Sequence, residues 1–332
     1  MALRKVGFIG TGGTISSLGK TPLDIVDYGA NKTMLTADEI LARVPDAQAV
    51  ADVFAVPFAN IPSPSIYFKE WQALAALCRS LVAEHPDLAG IVIGHGTATL
   101  EETAYVLGLT VKVAIPVVVV GSQRPLSALA SDAHMNLVNA VRTAASPASV
   151  GRGVLVVLND EIHAAREVTK TATFRLQTFR APDFGILGYV DGDNVTYYRK
   201  TERAVAPDTE FDLAGLEVLP RVDISYSYAG ADGADIDVFV TAGAKGIVSA
   251  GFAPGMATAA QAEALARAHA AGVVIVQATR AGSGIVHMGS RLAELGFLTS
   301  DNLNPQKARL LLALALTRTD DPHEIARMFR TY

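Results

Sequence analysis

The sequence predicts an α/β protein in which parallel sheets lie between layers of helices. Short runs of β-branched residues alternate with helical stretches along the chain. The runs are apolar at every position rather than at every second one, as in strands covered on both faces. With 332 residues, 50% of them hydrophobic, the chain is long enough for two domains or one large one.

Six strands are predicted, four in the first two-thirds of the chain and two in the last third. Their sequences are KVGFIG, GIVIGHG, IPVVVVGS, RGVLVVLND, KGIVSAGF and GVVIVQATR. Helices between them have recognisable ends. Thr36 and Glu39 form a capping-box pattern and Pro45 closes that helix, while Gly272 suits the left-handed position after a later, alanine-rich helix.

A polar, proline-bearing stretch without sustained periodicity covers about residues 199–220. It is the best candidate for an interdomain connection. We therefore predict an N-terminal catalytic α/β domain over 1–205, a linker over 206–218 and a C-terminal α/β domain over 219–332.

The amino-acid composition argues against some classes of function, such as nucleic-acid binding and membrane insertion. The net charge of −5 and the scattered Lys and Arg residues give no basic surface for nucleic acid. Apolar runs are shorter than the roughly 20 residues of a membrane span. The single cysteine, Cys78, has no partner for an internal disulfide, and the N-terminus turns quickly into a strand rather than a signal-peptide core. We expect a cytoplasmic protein without nucleic-acid or membrane partners.

Two glycine-rich loops that carry threonines follow predicted strands. GTGGTISS places Thr11 and Thr14 after the first strand, and GHGTAT places Thr97 after the second. In open α/β sheets, ligands bind at the carboxyl ends of strands. Gly13 and Gly96 would let the backbone approach a substrate and present N–H groups to it. Two hydroxyls with such donors are what acyl transfer needs.

A threonine hydroxyl needs a base or a nearby cation before it can attack. Lys170, in AREVTKT, is the candidate, because an ammonium in a partly dry crevice has a lowered pKa and can exchange protons near neutrality.

Other interpretations of the glycines are weaker. The G-x-G-x-x-G pattern fails because Ile15 stands at its last position, and the phosphate-loop pattern fails because Thr14 replaces its first glycine. A purely structural role, in which the glycines serve only the tight packing of strand on helix, remains an open alternative. The seven histidines lack metal-ligand spacing, so no metal site is predicted, and the serine-nucleophile pattern G-x-S-x-G is absent.

Eight motifs in order resemble the bacterial L-asparaginase/glutaminase family over essentially the whole chain. They are TGGTI, HGTATLEETAY, PVVVVGSQRP, NLVNAV, GVLVVLND, REVTKT, GIVSAG and LNPQKARLLLALALT. The resemblance implies a large flavodoxin-like N-terminal domain, a smaller C-terminal α/β domain, and a homotetramer built as a dimer of dimers. It also implies hydrolysis of a side-chain amide through a threonine acyl-enzyme without a cofactor.

The resemblance assigns roles to individual residues. Thr14 matches the nucleophile, while Thr97 and Lys170 match the pair that activates the attacking group or the hydrolytic water. Ser63 matches the serine that holds the substrate's α-carboxylate. Tyr28 is the nearest match to a tyrosine that lies beside the nucleophile.

The chain departs from the family at the groups that hold the substrate's α-ammonium. The motif H-G-T-D-T here reads H-G-T-A-T, so Ala98 replaces an aspartate. Pro64 stands at a glutamine, and Gly289 stands at a glutamate that the neighbouring subunit lends. Three changes at one ligand group predict a substrate without a free α-amine, such as a dicarboxylic acid monoamide or an N-substituted asparagine. The alternatives are an ordinary asparaginase whose ammonium ligand is Glu161, Asp160 or a first-loop residue, and a silent small-ligand-binding homologue.

Overall fold

The computed structural model describes residues 3–31 and 33–332. The chain divides into two compact units, of which the first ends at Ala214 and the second covers Gly215–Tyr332. This division falls within the stretch 206–218 that the sequence indicated as a linker. Its first part packs on the first unit: Phe211 is buried, and Lys112 Nζ donates to the Thr209 carbonyl at 2.6 Å.

The first unit contains strands and helices in alternation. Its strands are β1 Lys5–Gly10, β2 Asp52–Val56, β3 Leu88–Gly94, β4 Val117–Val120, β5 Val154–Leu158, β6 Glu161–Ala164, β7 Thr169–Lys170, β8 Phe179–Arg180, β9 Gly188–Asp191 and β10 Asn194–Tyr197. Its helices are α1 Ala37–Arg43, α2 Asp46–Val50, α3 Phe68–Glu84, α4 Leu100–Thr110 and α5 Ala133–Ala145.

Within the described residues, the main sheet has eight strands in the order β10-β9-β6-β5-β4-β3-β1-β2. The strands from β2 to β5 pair in parallel, which confirms the predicted parallel sheet. The edge formed by β6, β9 and β10 is antiparallel. These edge strands have four residues each and mixed polarity. They were not predicted, because they contain no continuous apolar run.

The sheet is covered on both faces, as the continuous apolar runs predicted. Val118 and Val120 of β4 pack in the core that contains residues of α1, α2 and α5. Their neighbours Val117 and Val119 point to the opposite face, into the core that contains residues of α3 and α4. Alternate side chains of a strand point to opposite faces, so a run apolar at every position fills two cores at once.

The register of the central strands places the two threonine loops side by side. Gly10 at the end of β1 pairs with Gly94 at the end of β3. Both loops therefore leave the sheet at the same level. Thr14 follows Gly10 by four positions, and Thr97 follows Gly94 by three.

The helix ends follow the predicted capping chemistry. The side chain of Thr36 accepts from the Glu39 backbone N–H, and the Glu39 carboxylate accepts from the Thr36 N–H, so the capping box before α1 is confirmed. Helix α1 ends at Arg43, and Pro45 directly precedes α2.

The second unit repeats the parallel architecture on a smaller scale. Its sheet has the order β11-β12-β13-β14, all in parallel, and its core includes Ile236, Ile247 and Leu265. Gly272 has φ 89° after α7, which confirms the predicted left-handed position. The elements are β11 Val222–Tyr226, α6 Ala234–Thr241, β12 Gly246–Gly251, α7 Ala259–Ala270, β13 Val274–Thr279, α8 Ser290–Glu294, β14 Leu298–Thr299, α9 Pro305–Ala315 and α10 Pro322–Thr331.

Candidate active site

Two glycines allow the threonine loops to touch. Gly13 has φ 86°, and a Cβ atom built on it would lie 2.2 Å from the Cα atom of Gly96. A Cβ atom on Gly96 would in turn lie 2.6 Å from the Ser63 hydroxyl oxygen. Any side chain at these positions would push the loops apart, so the glycines bring three loops to one point.

A cavity of about 680 Å³ opens at this point. All eight residues that the sequence suggested for the site line it: Gly13, Thr14, Tyr28, Ser63, Gly96, Thr97, Ala98 and Lys170. Pro64, which the family resemblance placed at the ammonium group, lines it as well, and so do residues that the sequence did not indicate: Ser17, Gly29, Thr33, Met34 and Pro62.

Thr14 begins a short 3₁₀ turn after Gly13 and is 9% exposed. Its hydroxyl lies 2.9 Å from the Tyr28 hydroxyl. Tyr28 comes from the loop that follows Ser17. A bridge between Ser17 and Met34 closes the base of this loop, and the Leu35 N–H donates to the Ser16 carbonyl at 2.7 Å. The closed base explains how a tyrosine fourteen positions along the chain returns to Thr14.

The other threonine of the first loop has a structural role. Thr11 is fully buried, and both its N–H and its hydroxyl donate to the Gly94 carbonyl at 2.9 Å. Its carbonyl accepts from the Ile61 N–H at 2.8 Å. Thr11 therefore ties the end of β1 to the end of β3, which leaves Thr14 as the threonine of this loop that lines the cavity.

Thr97 is 6% exposed and lies in a chain of hydrogen bonds. Lys170 Nζ donates to the Thr97 hydroxyl at 2.8 Å, and the hydroxyl donates to Gln123 Oε1 at 3.2 Å. Gln123 Nε2 then donates to the Arg175 carbonyl at 3.1 Å. The donor and acceptor roles of the Thr97 hydroxyl are both filled, so its orientation is fixed.

Lys170 lies in β7 and is half-buried, where burial lowers the pKa of its ammonium below its ordinary value. The carboxylate of Glu101, in the first turn of α4, opposes this shift and raises the pKa. Glu101 Oε1 also accepts from the Lys170 backbone N–H at 3.4 Å. A lysine in this setting can exchange a proton closer to neutrality than an exposed one.

A buried hydrogen-bond chain supports the second loop from below. Trp71 Nε1 donates to the Thr103 hydroxyl at 2.9 Å, and that hydroxyl lies 2.9 Å from His95 Nε2. His95 Nδ1 lies 2.8 Å from the Gly96 carbonyl. Because the Thr103 oxygen accepts from the indole, its proton is directed to Nε2, and the imidazole proton then belongs on Nδ1, which donates to Gly96. Complete burial lowers the pKa of His95 to about 4, so the ring is neutral.

Two cavity-lining residues also have backbone N–H groups available as donors. Across the residues that the structure describes, the N–H groups of Thr14 and Thr97 donate to no acceptor of the chain. Both groups belong to cavity-lining residues. Such N–H groups at strand ends can stabilise the oxyanion that forms when a carbonyl is attacked.

The electrostatic character of the cavity is unusual for a site that would bind an amino acid. Its lining includes Lys170 and, among the described residues, no aspartate or glutamate. Asp160 and Glu161, which the sequence analysis kept as alternative ammonium ligands, lie elsewhere. Asp160 accepts from Asn139 Nδ2 at 2.7 Å, and Glu161 lies 3.3 Å from His163 Nε2.

Sequence reasoning missed Gln123 and Glu101. Gln123 follows β4, just as the two threonine loops follow β1 and β3. Its position after a third predicted parallel strand was therefore the sequence signal for a site residue. Glu101 stands in a first helical turn, where an acidic residue is expected for the helix dipole alone. Only the fold reveals that it lies beside Lys170.

Two kinds of feature are absent from the described residues. No cluster of three or more His, Cys, Asp or Glu side chains is arranged to hold a metal ion. No helix there combines the length and the apolar character needed to cross a bilayer.

Comparison with known proteins identifies the family. The model "Asparaginase, N-terminal" matches residues 5–203, and "Glutaminase/Asparaginase C-terminal domain" matches residues 221–329. The chain belongs to the asparaginase/glutaminase family. Members of this family are amidohydrolases, so the chain is an enzyme of the asparaginase-like type.

Relatives of this asparaginase-family chain extend over its full length. L-asparaginase 2 of Bacillus subtilis (strain 168) is 41% identical over 330 residues, which covers 99% of this chain and 87% of that protein. L-asparaginase 2 of Escherichia coli (strain K12) is 39% identical over 334 residues, which covers 100% and 94%. A crystal structure described as a probable cytoplasmic L-asparaginase from Campylobacter jejuni has a TM-score of 0.94 and 38% identity, and covers 99% of this chain and 100% of its own.

Proposed function

We propose that this asparaginase-family enzyme cleaves a small side-chain amide to a carboxylic acid and ammonia through an acyl-enzyme on Thr14, and that its substrate lacks a free α-ammonium. The observation that carries the substrate preference is the cavity lining, which combines Lys170 and the methyl group of Ala98 with no described acidic residue.

The chemistry balances with the groups at hand. The Thr14 oxygen bonds to the amide carbon as its proton leaves to the Lys170 amine, which lines the same cavity. The carbon–nitrogen bond breaks as the leaving nitrogen takes up that proton from the Lys170 ammonium, and ammonia departs. Water then adds to the ester carbon, and the carbon–oxygen bond breaks to restore the Thr14 hydroxyl and release the acid.

Geometry supports this division of roles. Thr14 faces the cavity with a phenol hydroxyl 2.9 Å away, and Lys170 Nζ lies 2.8 Å from Thr97. Burial lowers the pKa of Lys170, which favours the neutral amine that accepts a proton. The N–H groups of Thr14 and Thr97 supply the oxyanion donors.

The charge balance argues against free asparagine as the preferred substrate. An α-ammonium in this cavity would meet no carboxylate among the described lining residues, and Lys170 would repel it whenever that side chain is protonated. Removing the partner of a buried ammonium costs about 2–5 kcal/mol, or roughly thirtyfold to several thousandfold in affinity. A monoamide of a dicarboxylic acid, or an asparagine with a substituted nitrogen, avoids this cost. Ser63, which lines the same cavity, would hold its carboxylate.

The test is ammonia release from L-asparagine, D-asparagine, L-glutamine, succinamate and N-acetyl-L-asparagine, with the wild type beside Ala98→Asp. We expect the wild type to prefer succinamate or N-acetyl-L-asparagine, and the added carboxylate to shift the preference towards L-asparagine. Ala98→Asn is the matched control, because it adds similar bulk without charge. Efficient wild-type turnover of free L-asparagine with no preference for the deaminated or acylated amides would refute the substrate shift.

Ordinary L-asparaginase activity is the second candidate. The names of the relatives favour it, as does Glu101, which lines an adjoining cavity together with Ala98 and Lys170. If Glu101 holds the ammonium, Glu101→Gln should raise KM for L-asparagine much more than KM for succinamate. A silent binding protein, the third reading of the sequence, predicts ligand binding without any ammonia release.

Assembly and location complete the proposal. We infer a homotetramer from the family resemblance, which light scattering of the purified protein tests directly. We infer a cytoplasmic location, which suits the single buried thiol of Cys78 and the description of the Campylobacter protein. A relative from Haemophilus influenzae is described as periplasmic, so cell fractionation is the deciding measurement.

A further inference from the structure

A second cavity adjoins the site. It has a volume of about 850 Å³, and Ala98 and Lys170 line both this cavity and the one at Thr14. Ala98 is exposed although its neighbour Thr97 is buried. The boundary between the two spaces is thus partly formed by a single methyl group, and a substrate at Thr14 could extend past it.

The wall of the second cavity is a hairpin loop between β7 and β8. Thr171, Thr173, Phe174 and Arg175 line the cavity from this loop. The buried Thr178 holds the loop closed: its hydroxyl donates to the Ala172 carbonyl at 2.7 Å and its carbonyl accepts from the Thr171 N–H at 2.7 Å. The wall is therefore preorganised, which lowers the entropic cost of binding a ligand there.

Gln123 connects this wall to the reaction site. Its amide nitrogen donates to the Arg175 carbonyl, and its amide oxygen accepts from the Thr97 hydroxyl. One buried side chain thus sets the position of the wall relative to Thr97.

The wall offers hydroxyls, an aromatic face and a cation. Phe174 is 61% exposed, and Thr171, Thr173 and Arg175 are exposed as well. In the part of the chain that the structure describes, no carboxylate pairs with the Arg175 guanidinium. The acid of this cavity, Glu101, is 6% exposed and lies against Lys170. A ligand here is favoured when it carries an apolar segment that ends in an anion.

We propose that the second cavity is an acyl-group subsite, and that the enzyme acts on asparagine-type amides whose α-nitrogen carries an acyl chain ending in a carboxylate. The uncharged acyl nitrogen passes Ala98, the chain lies against Phe174, and the terminal carboxylate pairs with Arg175. This inference rests on the proposed function at Thr14. The reaction itself is unchanged: side-chain amide and water give acid and ammonia, and the acyl–nitrogen bond stays intact.

The first test compares N-succinyl-L-asparagine, N-acetyl-L-asparagine and succinamate by ammonia release. We expect N-succinyl-L-asparagine to have the highest kcat/KM. Arg175→Gln should lower the ratio of kcat/KM for the N-succinyl over the N-acetyl substrate by about two- to fivefold, the usual range for an exposed ion pair. Arg180→Gln, an exposed arginine in β8 outside the cavity lining, is the matched control and should leave that ratio unchanged.

A second measurement separates failure of the subsite from failure of the proposed function. If succinamate releases ammonia but the N-succinyl substrate is no better than the N-acetyl one, or if both arginine variants behave alike, the subsite is wrong and the amidohydrolase proposal stands. If no substrate releases ammonia, the proposed function fails, and calorimetry with N-succinyl-L-aspartate still decides the subsite. Binding that weakens in Arg175→Gln alone supports it; no binding, or equal binding in all three proteins, overturns it.

A structure of the assembled enzyme supplies an independent check. Electron density for N-succinyl-L-aspartate along Phe174 and Arg175 would support the subsite. Side chains of a neighbouring copy that fill the second cavity would overturn it, because the acyl chain would then have no space.

Discussion

The two threonine loops begin alike and differ in what surrounds them. Both follow a central parallel strand, and both approach through glycine, Gly13 on one side and Gly96 on the other. The first threonine, Thr14, has one hydroxyl neighbour, contributed by a loop that is largely exposed. The second, Thr97, is held by Lys170 and Gln123 and supported from below by His95. This difference supports the proposal that the less constrained hydroxyl of Thr14 attacks and that Thr97 and Lys170 handle the proton.

The largest expected effect comes from removing the attacking group. Thr14→Ala should lower kcat for the best amide by about a thousandfold or more, because no oxygen remains to form the ester. Thr14→Ser is the matched control and should retain much of the activity. Mass spectrometry of enzyme quenched during turnover should find the acyl adduct on the peptide with Thr14. An adduct on the peptide with Thr97 would reverse the assignment of the two loops.

A smaller effect, on stability, is expected from removing the buried hydrogen bonds that hold the second threonine loop. Thr103→Val keeps the shape but leaves the Trp71 N–H and His95 Nε2 without their shared partner, at a cost of about 1–3 kcal/mol in the free energy of unfolding. Thr110→Val in the same helix is the control, since that hydroxyl bonds only the carbonyl of Val106 one turn earlier. Urea unfolding followed by circular dichroism measures both. Equal losses would mean that the buried chain has no special role.

The His95 support also makes stability depend on pH. The folded pKa of about 4 lies below the unfolded value of 6.5, so the unfolded chain binds the proton more readily. The free energy of unfolding should therefore fall as pH drops from 6.5 towards 4, with this contribution fully present above 6.5. Titration of the His95 ring nitrogens by ¹⁵N NMR checks both the low pKa and the Nδ1 proton. A ring that titrates in its ordinary range would contradict the assigned hydrogen bonds.

The smallest effect concerns the proton acceptor itself. Under the proposed mechanism the neutral Lys170 amine accepts the proton, so activity should rise as pH passes the Lys170 pKa. Glu101 raises that pKa, so Glu101→Gln should lower it further and move the rising limb of the kcat–pH profile to lower pH. Glu102→Gln, which changes the adjacent acid of the same helical turn, is the control. A limb that stays in place would show that another group accepts the proton.

Much of this architecture could be predicted from local sequence. The central parallel strands were found because buried strands require apolar residues at every position, as in the four valines of β4. The eight predicted site residues line one cavity, and the signals that pointed to them were threonines in glycine-rich loops after two predicted strands and the family motifs in order. The antiparallel edge could not be found in this way, since four-residue strands of mixed polarity have no distinctive period.

The sequence by itself determined the chemistry: which hydroxyls and which amine are present, that glycine permits the loops to touch, and that Ala98 carries no charge. Only the tertiary structure decided the relations between distant residues. It placed Thr11 in a structural role and Thr14 at the cavity, set Glu101 beside Lys170, and opened a second cavity across Ala98. The physical reason is that strand register and packing determine which loops lie next to each other, whereas the local sequence determines only which side chains each loop contributes.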